Sequence, residues 1–236
     1  MVSIGRMLRF VACIALGAAA GGALAASAGV VSHVSGSLWA PRADGSVRVL
    51  AQRSEVHQGD ILSTQADSYA QINFTDGSSI TLRPNTTVKV ETYQFSRDRP
   101  QEDGKFLQLV KGGLRTVTGL IGRRGDQNAY RIGTNQATIG IRGSSGDTFD
   151  CTEGCEGVTA TSGKLKPGVY HATSTGTYNM TNNAGSLLVG AGQFGYVSDA
   201  NTPPVMLPGD PGMSLAQVPF SIGPRDPATA GECVVR

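Results

Sequence analysis

The sequence predicts an all-β protein, with many short antiparallel strands in packed, solenoid-like or sandwich-like sheets and little or no helix after the first 25 residues. Three observations carry that expectation. The 236-residue chain holds 32 Gly and only 16% charged residues, with many Thr, Val and Ser, a composition that favours turns and strands over solvated helices. Several stretches alternate apolar and polar residues with a period of two, as half-buried strands do. No stretch after residue 25 sustains a helical period; Leu114 to Ile121 has room for a single helical turn.

The N-terminus predicts export. Met1 to Arg9 carries Arg6 and Arg9 and no acid, an apolar run extends from Phe10 to about Ala20, and Ala23-Leu24-Ala25 follows. A basic start, an apolar core and an Ala-x-Ala site describe a secretory signal peptide over residues 1–25, cleaved before Ala26. Cleavage before Gly29 is the next choice. Gly17, Gly21 and Gly22 break the run short of the roughly 18 apolar residues that a membrane span needs. Cys13 sits too early to become a lipidated first residue. The expected location is the periplasm or outer envelope, with secretion as the further option, and no membrane-spanning segment is expected after cleavage.

Removing residues 1–25 takes two Arg and no acid from totals of 20 Lys+Arg and 18 Asp+Glu, leaving 18 basic and 18 acidic residues. A neutral chain lacks the basic excess of a nucleic-acid binder, so no nucleic-acid partner is expected.

Roughly 210 remaining residues suffice for one large β domain or two small ones. Tyr69 to Phe74 alternates, with Ala70, Ile72 and Phe74 on one face; Thr75-Asp76-Gly77-Ser78 turns the chain, and Ser79 to Arg83 resumes the alternation. Asp76-Gly77 suits a type I′ hairpin turn. After Pro84-Asn85 the period continues from Thr87 to Tyr93, predicting a three-stranded meander. Short strands are then expected at Phe106 to Val110, Leu114 to Val117, Tyr130 to Thr134, Ala137 to Arg142 and Thr148 to Cys151. Others are expected at Val158 to Thr161, Val169 to Ser174, Thr177 to Thr181, Ser186 to Val189 and Gln193 to Ser198. A loose pattern of apolar, small, Gly and apolar residues recurs, as in Val110-Lys111-Gly112-Gly113-Leu114, without the fixed spacing of a regular solenoid. Seven of the eleven Pro lie at or beyond Pro203, and proline at that density blocks ladder bonds. The domain is therefore placed at 26–200 and residues 201–236 are read as a Pro/Gly-rich tail, packed in part through residues such as Val205 and Leu207.

In an oxidising compartment Cys151 and Cys155, with three residues between them, are expected to form a disulfide, with Thr152-Glu153-Gly154 as a three-residue hairpin loop. Cys233 is left over as a free thiol, an intermolecular bridge or a competitor for either partner. A metal site needs two further ligands beside the cysteine pair, and His33, His57 and His171 are scattered, so no metal or cofactor is expected.

Five segments in order resemble the FecR domain family, the envelope-side module of bacterial iron-uptake sigma regulators. They are Val31 to Leu38, Val56-His57-Gln58-Gly59-Asp60-Ile61-Leu62-Ser63-Thr64, the hairpin Ala70 to Leu82, Leu109 to Arg115, and Ile132-Gly133-Thr134-Asn135-Gln136-Ala137-Thr138-Ile139-Gly140-Ile141-Arg142-Gly143-Ser144. The similarity spans about residues 30 to 198. This chain departs from the family at Asn135, where Pro is usual, and at Ser144, where Thr is usual. A cleavable signal also stands where the sigma regulators have a cytoplasmic segment and membrane helix. The resemblance implies an all-β envelope domain that binds another protein; it does not carry over the ligand or a transmembrane signalling role.

Between Lys105 and Arg142 lie seven basic residues, opposed by Asp126 alone. Arg115, Arg123, Arg124 and Arg131 are the candidate binding residues, able to hold an acidic protein or anionic polymer if they share a face. Gly119 to Gly125 reads as an exposed loop presenting Arg123 and Arg124. Arg142, beside Gly143, is read as structural, bonding carbonyls or a carboxylate inside the domain. Asp60 and Asp76, with Gly77, read as turn formers. Trp39 and Tyr93 are candidates for stacking on a sugar, with core or edge packing as their commoner fate.

Enzyme templates are absent: there is no Gly-x-Ser-x-Gly, His-Glu-x-x-His or Walker-type phosphate loop. The sequence thus predicts a non-catalytic exported protein that binds an envelope protein in regulation or scaffolding, with a cell-wall polysaccharide-binding module as the alternative. Its oligomeric state is not legible.

Overall fold

The computed structural model describes residues 26–42, 44–126, 128–155 and 165–212. The expected signal peptide, the strand expected at Val158 to Thr161, the tail beyond residue 212 and Cys233 lie outside the described residues.

The chain begins with β1 (Ser27–Ser35), β2 (Leu38–Pro41), β3 (Val47–Leu50), β4 (Glu55–His57) and β5 (Ile61–Thr64). It continues through β6 (Tyr69–Phe74), β7 (Ser79–Leu82), β8 (Thr87–Gln94), β9 (Gly104–Val117) and β10 (Tyr130–Gly133). The C-terminal part holds β11 (Thr138–Asp150), β12 (Val169–Asn182), β13 (Gly185–Gly190), β14 (Phe194–Val197) and β15 (Val205–Leu207). All belong to one mostly antiparallel sheet that does not close; β9 and β10 pair in parallel.

Three long strands fold this sheet over on itself. The first half of β9 pairs with β8 and β10, whereas Leu114 to Val117 pairs with β7. β11 pairs with β10 through Thr138 to Gly140 and with the second half of β9 through Ser145 to Asp150. β12 runs beside β14 first and beside β13 afterwards. One layer is therefore β3-β2-β5-β8-β9-β10-β11-β12-β13, and the other is β4-β1-β6-β7-β9-β11-β12-β14-β15.

Glycine makes these crossings possible. The strands turn between layers at Gly112, Gly143 and Gly176, with φ of +85°, +58° and +71°, values that side-chain-bearing residues avoid. At Gly112 a Cβ would also meet backbone atoms of Asn85 and Thr86 within 2.8 Å.

Between the layers lies the larger hydrophobic core of the described residues. Leu62, Val88, Leu107, Leu109, Ile139 and Met180 from the first layer join Ala70, Ile72, Ile80, Leu82, Leu114 and Val169 from the second. Alternation decides these positions, because in a strand every second side chain points to the same face.

The registers also sort the connections to two ends of the sandwich. The β6–β7 turn, residues 118–126 and the corners at Gly143 and Gly176 gather at one end. The corner at Gly112, the β10–β11 turn and the Cys151–Cys155 loop gather at the other. The Cys151–Cys155 disulfide is formed, with Cα atoms 4.5 Å apart.

Several expectations need correction. The three-stranded meander does not form: β7 takes β9 as its second neighbour, and β8 pairs with β5 and β9 in the opposite layer. Pro84-Asn85, with Asn85 at φ +53°, carries the chain across. Paired short strands expected at 106–117, 137–151 and 169–181 are each continuous through a bend. Leu114 to Val117 is strand, and the helical turn among the described residues is the 3-10 turn Pro100–Glu102. The tail contributes β15, in the proline-free interval between Pro204 and Pro208, paired with β14. The Asp76-Gly77 turn is not type I′. Gly77 alone has positive φ, its N–H bonds to the Phe74 carbonyl and the Phe74 N–H bonds to Ser78, the geometry of a type I turn followed by a left-handed glycine.

Candidate binding surface

The seven basic residues do not share one face. Lys105 points into the core and is 1% exposed. Arg115 lies against Asp147 at 3.7 Å, and Arg83 holds the same carboxylate at 3.1 Å. Burial pushes the Asp147 carboxyl up to about 6 despite the two guanidinium groups. Lys111 and Arg131 are exposed on the first layer. The Arg131 guanidinium sits 5.5 Å from the centre of the Phe106 ring on the neighbouring strand.

Arg123 and Arg124 meet different fates. Arg124 Nε donates to Asp103 Oδ2 at 3.1 Å, and its terminal nitrogens donate to the carbonyls of Arg97 and Ser96. Its guanidinium also covers Phe95 at 5.1 Å. Arg124 therefore ties the 96–103 segment to the loop. Arg123 is exposed.

Arg142 is also exposed, and among the described residues it bonds no internal carbonyl or carboxylate. This corrects its expected internal role. In β11 it faces away from the core, between the inward side chains of Ile141 and Ser144. A backbone bond brings it beside the arginine loop: Gly143 N–H donates to the Gly122 carbonyl at 3.1 Å. A Cβ on Gly143 would lie 3.8 Å from Arg123 Cγ. Gly122, Arg123, Arg124, Gly125, Arg142 and Gly143 together line a shallow groove at this end of the sandwich.

Beneath the groove is a network that sequence reading did not find. Asp76, expected only as a turn former, is 2% exposed. Its Oδ1 accepts the Ser78 hydroxyl at 2.6 Å and the Ser78 N–H at 3.2 Å, while its Oδ2 accepts Ile121 N–H at 3.3 Å. Leu120 N–H donates to the Asp76 carbonyl at 2.9 Å. Asp76 thus anchors the arginine loop on the β6–β7 turn. The Tyr93 hydroxyl accepts Asp76 N–H at 2.9 Å and bonds Thr75 Oγ1 at 2.8 Å, and its ring stacks on Phe74. Tyr93 is therefore a structural strut, while Trp39 is 39% exposed on β2.

Lys105 closes the network. Its Nζ donates to Ser78 Oγ at 2.7 Å and lies 3.3 Å from the Phe74 ring centre and 4.5 Å from that of Tyr130. Burial pulls its ammonium down to about 7, opposed by the Asp76 carboxylate. The Asp-Gly-Ser triplet was the legible part; nothing in the local sequence of Lys105 told it from a surface lysine.

Asp60 does close a turn, accepting His57 N–H at 2.9 Å, and it also holds Arg48 at 2.8 Å. His171 is buried against Thr148 and Tyr178, and burial pulls its imidazole down to about 3. Among the described residues, no three His, Cys, Asp or Glu side chains gather as a metal-binding group. No helix among them is long and apolar enough to cross a membrane.

Residues 60–165 match the family model described as FecR protein. That interval runs from the turn before β5 to past the disulfide and contains the whole arginine loop; the resemblance expected from sequence was broader. Two crystal structures of a Parabacteroides distasonis protein described as an anti-sigma factor are also similar, at 14% and 13% identity and a TM-score of 0.46 each. Each comparison covers 64% of this chain and 60% of that one, so the match spans less than two thirds of the neighbour's length. No curated protein matches the chain.

Proposed function

We propose that this chain, FecR-like over residues 60–165, is an exported, non-catalytic envelope protein that binds a protein partner in regulation or scaffolding. The family match carries the reading, since it covers the loop and corner that build the arginine end. The basic, apolar and Ala-x-Ala start supports export, and the Cys151–Cys155 disulfide agrees with an oxidising compartment. The reactive groups that come together support a binding role rather than catalysis. Ser78, Asp76 and Lys105 are sealed in the core at 1–2% exposure, out of reach of a substrate.

Crosslinking and affinity capture of the protein from its native envelope, with mass spectrometry, tests the reading. A reproducible protein that then binds the purified chain is the expected result. Retention on peptidoglycan with no protein captured would replace it with the second reading, a wall-polymer module, for which exposed Trp39 offers a stacking surface.

A further inference from the structure

We propose that Arg123 and Arg142 form one carboxylate-binding site, and that it receives an acidic segment of the protein partner. The inference rests on the binding role proposed above and deepens it by naming the site and the chemistry it recognises.

The geometry is set by backbone, not by sequence proximity. Arg123 and Arg142 are nineteen positions apart, yet the Gly143 N–H to Gly122 carbonyl bond of 3.1 Å clamps the residues adjoining each of them. The loop is fixed from a second direction, because Arg123 N–H and Arg124 N–H both donate to the Leu120 carbonyl at 3.1 and 3.2 Å. Asp76 in turn holds Leu120 and Ile121 by their N–H groups. Two cationic side chains are therefore displayed from a braced frame. A preformed frame lowers the ordering cost of binding.

Among the described residues, neither charge is neutralised from within. Asp103 is taken by Arg124. Asp126, the one acid between Lys105 and Arg142, accepts Asn128 N–H at 2.8 Å through Oδ1 and makes no ion pair with either arginine. Two like charges side by side repel, and an anion between them relieves that repulsion while accepting charge-assisted bonds. Guanidinium groups bind carboxylates in paired, planar geometry.

The surface around the pair favours a polypeptide over a bare anion. Leu120 is 46% exposed on the same loop, and Thr75, Gly77, Phe95, Arg97 and Leu120 line a second groove that shares Arg124 with the first. An acidic residue on Arg123 and Arg142, with an apolar neighbour on Leu120, is the occupant that uses both features. The shared wall, Arg124, is a positioning residue.

A labelled oligoglutamate peptide, followed by fluorescence anisotropy at fixed low salt, is the probe. The wild-type full chain is compared with Arg123→Gln, Arg142→Gln, their combination, and Lys111→Gln as an exposed-cation control at the opposite end of the sandwich. The expected result is about a tenfold or greater loss of affinity in the double variant, the size of one charge-assisted interaction. The control stays within about twofold, by the small effect of a distant charge under screening. Thermal unfolding at the wild-type temperature confirms that the double variant folds. Equal loss in the control, or undiminished binding in the double variant, would overturn the site. Tighter arginine-dependent binding to polygalacturonate than to the peptide would overturn the acidic protein segment in favour of a polymer. The two proposals fail separately. A partner captured equally by wild type and double variant ends this inference alone; peptide binding without any captured partner ends the functional reading.

Discussion

The N–H of Gly143 donates to the carbonyl of Gly122 at 3.1 Å, and that contact sets Arg142 at the end of one β-layer beside Arg123 in a loop. Both arginines are exposed there, beside Leu120 on the same loop.

Arg124 and Arg123 should respond differently to the same change. Arg124→Gln removes the charged partner of Asp103, whose side chain is fully buried. With Arg124 itself partly exposed, the cost should be about 2 kcal/mol. Arg123→Gln should stay within about 0.5 kcal/mol, as exposed substitutions usually do. Urea unfolding of both variants measures the contrast.

The corner at Gly112 should be costlier to replace than a glycine in an open turn. Gly112→Ala meets both a positive φ and backbone atoms within 2.8 Å, whereas Gly59 has φ +89° with open space around its Cβ position. Gly59→Ala should cost about 1–2 kcal/mol from backbone strain, and Gly112→Ala at least about 3 kcal/mol once overlap is added. Equal unfolding midpoints for the two variants would contradict the two-layer crossing at β9.

Stability should rise with pH above neutrality. Burial holds the Lys105 ammonium near 7 in the folded protein, against about 10.4 in an unfolded chain. Between these values the unfolded state binds more protons, so unfolding free energy increases from pH 7 toward pH 10, on the order of 3 kcal/mol. Above pH 10 the buried tyrosines oppose it, because burial raises Tyr93, Tyr130 and Tyr178. Denaturant titrations at pH 7 and 9.5 should show the rise in wild type and its loss in Lys105→Met.

The disulfide should matter little to the fold. It closes a loop with three residues between the cysteines, so by loop entropy its loss costs about 2 kcal/mol. The double variant Cys151→Ser/Cys155→Ser should retain the β-sheet circular dichroism of the parent and unfold at a modestly lower temperature.

Period-two alternation made the strands legible because it is written locally: Ala70, Ile72 and Phe74 turn inward whatever lies across from them. Partner choice is not local. Thr87 to Tyr93 alternates equally well beside β7 or in the opposite layer, and the positive φ at Asn85 decides. Likewise, Arg123 and Arg124 are adjacent and chemically alike, and they separate only because Asp103, 21 residues before Arg124, closes on one of them. Arg142, expected to bond inside the domain, faces outward instead, because Gly143 beside it makes an outer corner. The Asp76, Ser78 and Lys105 network brings together residues 27 positions apart, and no periodicity records such a contact.

The most direct test places a photo-crosslinking amino acid at Leu120, on the arginine end, or at Glu153, beside the disulfide at the opposite end. Each protein is irradiated in its native envelope. A discrete protein adduct is expected from Leu120, lost when Arg123 and Arg142 are both Gln, and none from Glu153. Adducts from Glu153 alone, or Leu120 adducts that persist without the two arginines, would contradict it.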